Sequence, residues 1–249
     1  MDTGKIVADG ADVLGLTLPS NAVAAFEAYY SFLENRNQVI NLTSISGVVD
    51  VARLHFLDSI AILKCVAFKD SRVIDIGSGA GFPGIPLKIA EPSIDLTLLD
   101  SSVKRVKFLK DLCSTLALSA TCIHARAEEV AHIPDLRESY DIAVSRAVAR
   151  LNILSELCLP FVMVGGFFIA MKSTDSSYEL SEALAGTQML GAEFHGNFDY
   201  TIPLTNISHR GVLFRKISLT PEKYPRRFSR IQKTPLESQP RTASNGRTG

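Results

Sequence analysis

The amino-acid sequence predicts an α/β fold in which a helical extension precedes a mostly parallel, seven-stranded sheet. Three observations lead there. From Arg72 onward, short apolar runs alternate with amphipathic stretches, the texture of repeated β-α-β units. The first apolar run passes directly into a glycine-rich turn, Asp75-Ile-Gly77-Ser-Gly79-Ala-Gly81-Phe82-Pro-Gly84. Ahead of residue 70, apolar residues recur at helical spacing instead.

In chain order, Val23, Phe26, Tyr30 and Leu33 follow Pro19-Ser20 as one helical stripe, and Val51, Leu54 and Leu57 predict further helix before Lys64. Strands are expected at 72–77, 94–100, 120–124, 140–145 and 164–171, the last opened by Gly165-Gly166. Helices are expected at 84–90, 102–117, 150–159 and 176–190. The helix over 102–117 turns Val103, Val106, Leu109, Cys113 and Leu116 inward and Lys104, Arg105, Lys107 and Lys110 to solvent. Runs at 193–202 and 211–218, joined through Thr205-Asn-Ile-Ser-His, form an antiparallel pair closing the sheet. The Pro, Arg and Ser content after Thr220 predicts a loop, with disorder from Gln239 to Gly249. The expected organisation is an extension over 1–70, a main domain over 71–220 and a basic segment over 221–249.

Composition sets limits on function. At 249 residues and 46% hydrophobic, the chain can bury one good α/β core, and no apolar run reaches the roughly 18 residues of a membrane span. The start, Met-Asp-Thr-Gly-Lys, has no apolar signal core, so a cytoplasmic location and no membrane partner are expected. Cys65, Cys113, Cys122 and Cys158 lack metal-ligand spacing and read as core thiols, and no metal is expected. The 26 basic and 26 acidic residues balance, but unevenly. From Arg210 to the end there are ten Lys or Arg and two acids, which leaves 16 basic and 24 acidic residues before it. A polyanion should therefore meet the C-terminal segment first.

The glycine turn holds the first chemistry. An acid two residues before the first glycine would oppose a pyrophosphate at the helix N-terminus but would suit a cationic ligand such as S-adenosylmethionine (AdoMet). The same stretch also spells a dinucleotide fingerprint at Gly79, Gly81 and Gly84, with Asp100 about 20 residues on, so a nicotinamide-dependent oxidoreductase stays open. In open parallel sheets ligands bind beyond the carboxyl ends of the strands. Phe82 could there cover the methionine part of a donor, Asp100 could accept from a ribose diol, and backbone groups at Ala127 and Glu128 could address adenine.

After the fourth strand comes Ser145-Arg146-Ala147. No Asn or Asp with prolines serves an exocyclic amine there, no cysteine serves a pyrimidine carbon, and arginine stands where a ribose 2′-oxygen would need an aspartate. A ring nitrogen with an exposed lone pair, such as guanine N7, needs no base, and catalysis would be in-line positioning. Arg146 suits that task through its fork to O6 or phosphate, with a salt bridge to Asp75 or Glu128 as the alternative.

These residues resemble the bacterial small-subunit ribosomal RNA guanine-N7 methyltransferase family, RsmG, from residue 20 to about 237. The matching stretches are Asn41-Leu-Thr43, His55-Phe-Leu-Asp58-Ser, Asp75 through Pro86, Lys104-Arg105, Arg126-Ala-Glu-Glu, Ser145-Arg146-Ala-Val-Ala and Tyr224-Pro-Arg226. The resemblance implies a Rossmann-like class I AdoMet-dependent methyltransferase fold and methylation of one 16S rRNA guanosine near the decoding site. It implies donor contacts from Gly77, Phe82, Ala127, Glu128 and Arg146, a base held by Asn41 and Thr43, and phosphates met by Lys172 and Arg210. The partner would be 16S rRNA within the small subunit, met by a monomer.

The chain departs from the family pattern in three places. Arg36 stands where tryptophan is common, Ser173 replaces a glycine, and the stretch after Arg226 lacks the usual glycine and proline, reading Arg-Phe-Ser-Arg-Ile-Gln-Lys-Thr-Pro. These are expected to bear on RNA docking and to leave the donor loop untouched. A non-catalytic RNA-binding assembly factor is the remaining alternative.

Overall fold

A computed structural model of the chain describes residues 2–236. Helix α1 (Thr3–Leu14) starts at Asp2, whose side chain accepts from the Gly4 amide, and α2 (Ala22–Ile40) follows. Next come α3 (Val48–Val51), a π-helical stretch (Ala52–Leu57) and α4 (Asp58–Ala61). The sheet then alternates with helices: β1 (Arg72–Ile76), α5 (Gly84–Ala90), β2 (Asp95–Asp100), α6 (Val103–Thr115), β3 (Ala120–His124), α7 (Ala127–Val130) and β4 (Tyr140–Arg146). It continues through α8 (Leu151–Cys158), β5 (Val162–Ser173), α9 (Ser177–Met189), β6 (Ala192–Thr201), β7 (Ser208–Lys216) and α10 (Phe228–Lys233).

The seven strands form one sheet in the order β3-β2-β1-β4-β5-β7-β6, and only β7 runs against its neighbours. Strand order reverses between β1 and β4, which is where such sheets open a crevice. Alternation along β1 divides the core. Val73 faces α5, α6 and the N-terminal helices, while Ile74 and Ile76 face α8, α9 and α10. The expected α/β class, the five parallel strands and the antiparallel closing pair are all present.

Four expectations need correction. The stripe on α2 consists of Ala22, Phe26, Tyr29 and Leu33; Tyr30 is half-buried and bonds Glu34. Tyr29 turns inward because its hydroxyl donates to the Ala80 carbonyl in the glycine turn, at 2.6 Å. On α6 the buried residues are Val106, Phe108, Leu109, Leu112 and Cys113, whereas Val103, in the first turn, is exposed. Strand β5 begins at Val162, so Gly165-Gly166 lies inside it, where the register with β4 shifts between Tyr140 and Ile142. The segment after Thr220 contains a helix, α10, anchored by the buried Ile231. The expected disorder of 239–249 lies outside the described residues.

The basic C-terminal segment is partly consumed inside the protein. Lys216 is buried and bonds Glu138 and the Leu159 and Val162 carbonyls, Arg226 grips the buried Glu156, and Arg210 pairs with Asp199 across the β6–β7 ladder. Arg215, Lys223, Arg227, Arg230 and Lys233 remain exposed.

Candidate active site

A cavity of about 390 Å³ lies beyond the carboxyl ends of β1 to β4. Its floor is the glycine turn, Gly77 to Ala80, with Phe82; its sides are Asp100, Ala127, Glu128 and Arg146, and Thr43 and His55 reach it from the N-terminal helical region. Gly81 holds φ at 100°, and a Cβ there would lie 2.6 Å from the Tyr29 hydroxyl, so this turn admits only glycine at that point.

The turn's amides are engaged internally. Gly77 and Ser78 donate to the Leu99 carbonyl, Gly81 and Phe82 to the Ser78 carbonyl, Gly79 to Asp100 and Gly84 to Asp75. A pyrophosphate needs free amides converging on it, and these six are already satisfied. The cavity instead offers carboxylate acceptors at Asp100 and Glu128, set among Arg105, Arg126 and Arg146, and these acceptors suit a ligand that carries a diol and an amine.

Asp75 is placed differently from its sequence expectation. It shares the Val73 side of β1, so its carboxylate points under the turn to the start of α5, where it accepts from Gly84 at 2.9 Å, and it does not line the cavity. Burial pushes its carboxyl up to about 7 against the opposing Gly84 bond, and its second oxygen has no partner among the described residues. Asp75 therefore braces the turn from below. Asp100 lines the cavity while accepting from Ser102 (2.8 Å) and Gly79 (3.0 Å), and Ser102 is the N-cap of α6. Phe82 stacks with Tyr29 and with His55, ring centroids 5.4 and 4.3 Å away, and is largely buried at the cavity floor.

Arg146 pairs with neither Asp75 nor Glu128. One terminal nitrogen, Nη1, donates to the Asp58 carboxylate (3.0 Å) and the Leu54 carbonyl (3.2 Å), and Nη2 donates to His55 Nδ1 (2.9 Å). Three of its donor hydrogens are thus committed, and the expected open fork toward a ligand is not formed. The guanidinium lies over the Phe82 ring at 4.9 Å.

This network fixes hydrogen positions beyond itself. A guanidinium only donates, so His55 Nδ1 accepts, and Nε2 carries the proton and donates to Thr43 Oγ at 2.8 Å. Burial and the charge of Arg146 push His55 down to about 3, so it is neutral. Ile45 also donates to Thr43 Oγ (3.0 Å), and the hydroxyl's own hydrogen is left to point elsewhere. Asn37 holds the Thr43 backbone through both its amide and its carbonyl. Thr43 thus presents a fixed donor at the cavity wall.

Asp58, almost fully buried, anchors the other side. Burial works to raise its carboxyl, but bonds from His209 and Tyr200 and the charge of Arg146 outweigh it and hold the group below the usual carboxylate range. His209 is raised by the same bond. Around this cluster opens a second cavity of about 370 Å³, lined also by Lys172 and Ser173, and the two cavities share His55, Arg146 and Ala147 as a common wall.

The structure brings together Gly77, Gly79, Phe82, Asp100, Ala127, Glu128, Arg146 and Thr43 at the first cavity and Lys172 at the second. Lys172 is bonded to Glu179 and the Ala149 carbonyl. Asn41 caps α2 in a left-handed conformation and lines neither cavity, nor do Arg210 and Gly81, the latter facing Tyr29 and Ile85 instead. Sequence reasoning assigned no role to Tyr29, His55, Asp58, Tyr200, His209 or Phe228. The signal for two of them was in the stretch His55-Phe-Leu-Asp58. The departure after Arg226 also reaches the first cavity, because Phe228 lines it. Arg36 lies 5.3 Å over the Phe32 ring and pairs with Asp111, so it stacks on the α2–α6 seam.

Among the described residues, no group of three His, Cys, Asp or Glu could hold a metal ion, and no helix is long and apolar enough to cross a membrane. The family model described as rRNA small subunit methyltransferase G matches residues 22–197. The curated ribosomal RNA small subunit methyltransferase G of Alkaliphilus oremlandii is 41% identical over 239 residues, covering 95% of this chain and 100% of that protein. The one from Pelotomaculum thermopropionicum is 44% identical over 234 residues, covering 93% and 98%. Among solved structures, TrmN from Thermus thermophilus superposes with a TM-score of 0.51 at 17% identity, over 76% of this chain and 52% of that one, a likeness of fold. With fold, cavity and matched length in agreement, the chain belongs to the rRNA small subunit methyltransferase G family.

Proposed function

We propose that this protein transfers the methyl group of AdoMet to N7 of one guanosine in 16S rRNA, with the donor in the first cavity and the base entering against the wall of Arg146, His55 and Thr43. Methyl transfer to small-subunit ribosomal RNA follows from family membership, and AdoMet is the donor that membership brings. The position on the base rests on one observation: no side chain at the shared wall is free to take a proton. His55 Nδ1 accepts from Arg146 and its other nitrogen is protonated, the Arg146 guanidinium only donates, and Ala147 has no ionisable group. Guanine N7 carries its lone pair already exposed and loses no proton on methylation.

When bound, AdoMet supplies an electrophilic methyl carbon. The protein supplies position. Asp100 accepts from the ribose hydroxyls, and Glu128 and the backbone at Ala127 address the adenine. The glycine turn at Gly77, Gly79 and Gly81 admits close backbone approach, with Asp75 bracing it. Arg146, itself held by three partners, keeps His55 and the Thr43 hydroxyl oriented, and that hydroxyl donates to the acceptor edge of the incoming guanine. Lys172 borders the second cavity, where the flanking phosphates would run, while Asn41 and Arg210 would contact RNA outside both cavities. We further place the reaction in the cytoplasm, on the small ribosomal subunit, carried out by a monomer without metal.

A strain lacking this protein should lose a single N7-methylguanosine from its 16S rRNA, read by chemical cleavage at that base, and the purified chain with AdoMet should restore it. Unchanged methylation in the deletion strain rejects the assignment. An assembly factor without catalysis predicts instead that variants unable to hold AdoMet leave every phenotype intact.

A further inference from the structure

The adenine end of the donor cavity has a wall drawn from the far end of the chain. Phe228, first residue of α10, lines that cavity beside Ala127 and Glu128 and is only partly buried. Its ring is covered on one side by the Arg126 guanidinium, 5.9 Å from the centroid. The segment carrying it is strapped down. Arg137 donates to the Thr220 and Tyr224 carbonyls, His132 bonds the Pro225 carbonyl, and Arg226 forks onto the fully buried Glu156. Ile231 and Leu236 are buried beyond it. A strap fixed at so many points holds the aromatic ring in place at the cavity's edge.

We infer that Phe228 is a stacking wall for the adenine of the donor, which makes the C-terminal strap part of the cofactor site. This rests on the AdoMet reading above. Adenine is a flat π system with an exocyclic amine. Phe228 offers the flat face, and Glu128, whose nearest cation is Arg126 at 4.0 Å, offers a carboxylate to the amine.

The test uses calorimetry of AdoMet binding to the full chain and to Phe228→Ala, Phe228→Leu and Phe228→Trp. Stacking of a base on an aromatic side chain predicts a roughly tenfold weaker Kd for Phe228→Ala and Phe228→Leu, with Phe228→Trp at or above native affinity. Because the native chain contains no tryptophan, Phe228→Trp also carries a unique fluorophore, whose emission should change on saturation with AdoMet or adenosine and not with methionine. Native affinity in Phe228→Leu, or emission indifferent to saturating AdoMet, overturns the wall while leaving the donor reading intact. So does a loss confined to ribosomal RNA affinity, which would give Phe228 to the RNA. Failure of the native chain itself to bind AdoMet sinks the donor reading instead. Thermal midpoints without ligand separate stacking from a loss of the strap: a fall in Phe228→Leu that alone accounts for weaker binding counts against the wall.

Discussion

The two sides of the proposed site, one for the donor and one for the acceptor, are built in different ways. The donor side rests on a turn of ten residues whose amides close on nearby carbonyls and on Asp75 and Asp100, so its shape is set largely by local backbone geometry. The acceptor side assembles Thr43, His55, Asp58, Arg146, Tyr200 and His209 from four separate parts of the chain, with Asp58 and His209 lying 151 positions apart. One is a motif and the other is a meeting. A local turn tolerates change elsewhere in the fold, whereas a buried network of charged and polar groups depends on every member, since each one removed leaves a partner unsatisfied.

The contrast can be broken by experiment, starting with the largest effect. Arg146→Ala removes three hydrogen bonds at the shared wall and leaves His55 without the donor that fixes its tautomer. Turnover should fall by roughly 10²–10³-fold while AdoMet affinity changes far less, and Arg146→Lys should not restore it. Near-native turnover would detach Arg146 from the reaction. Gly81→Val should do the reverse, lowering AdoMet affinity by about 10²-fold in calorimetry, because it forces a branched residue to positive φ against Tyr29. An unchanged affinity would mean that the turn does not shape the donor cavity.

The next effect concerns stability. Between about pH 4 and 7 the unfolded chain ionises Asp75 while the folded chain keeps its proton, so this group's contribution to stability is complete below pH 4 and declines as pH rises toward 7. Asp75→Asn should flatten that decline, by about 3 kcal/mol in chemical denaturation at pH 7 relative to pH 4. Parallel native and variant curves would remove the buried-acid account. The smallest effect belongs to Thr43→Val, which deletes the oriented hydroxyl: KM for RNA should rise about tenfold with AdoMet binding unaltered, and Thr43→Ser should recover most of the loss. Equal kinetics of all three proteins would leave Thr43 without a role in holding the base.

Most of the donor side was legible in the sequence because its information is local. An apolar strand, an acid and closely spaced glycines specify a turn wherever they occur, and Asp100, Ala127 and Glu128 follow from their places after the second and third strands. Even there the direction of Asp75 was misread, since strand alternation, and not nearness to the turn, sends its side chain beneath it. The acceptor side was hidden for the opposite reason. Nothing in periodicity links His209 to Asp58 or Thr43 to His55, and the partners of Arg146 were sought on neighbouring strand ends although they sit on the helical extension.

By itself, then, the sequence determined the class of fold, the glycine turn and the strand ends that surround the first cavity, because hydrophobic period and backbone sterics act over a few residues. Only the tertiary structure decided which way the buried acid points, which charges of the basic C-terminus are consumed in the interior, and how Phe228 comes to line the same cavity as Glu128. Those outcomes follow from desolvation and pairing between groups far apart in the chain, and such pairings exist only once the core has closed around them.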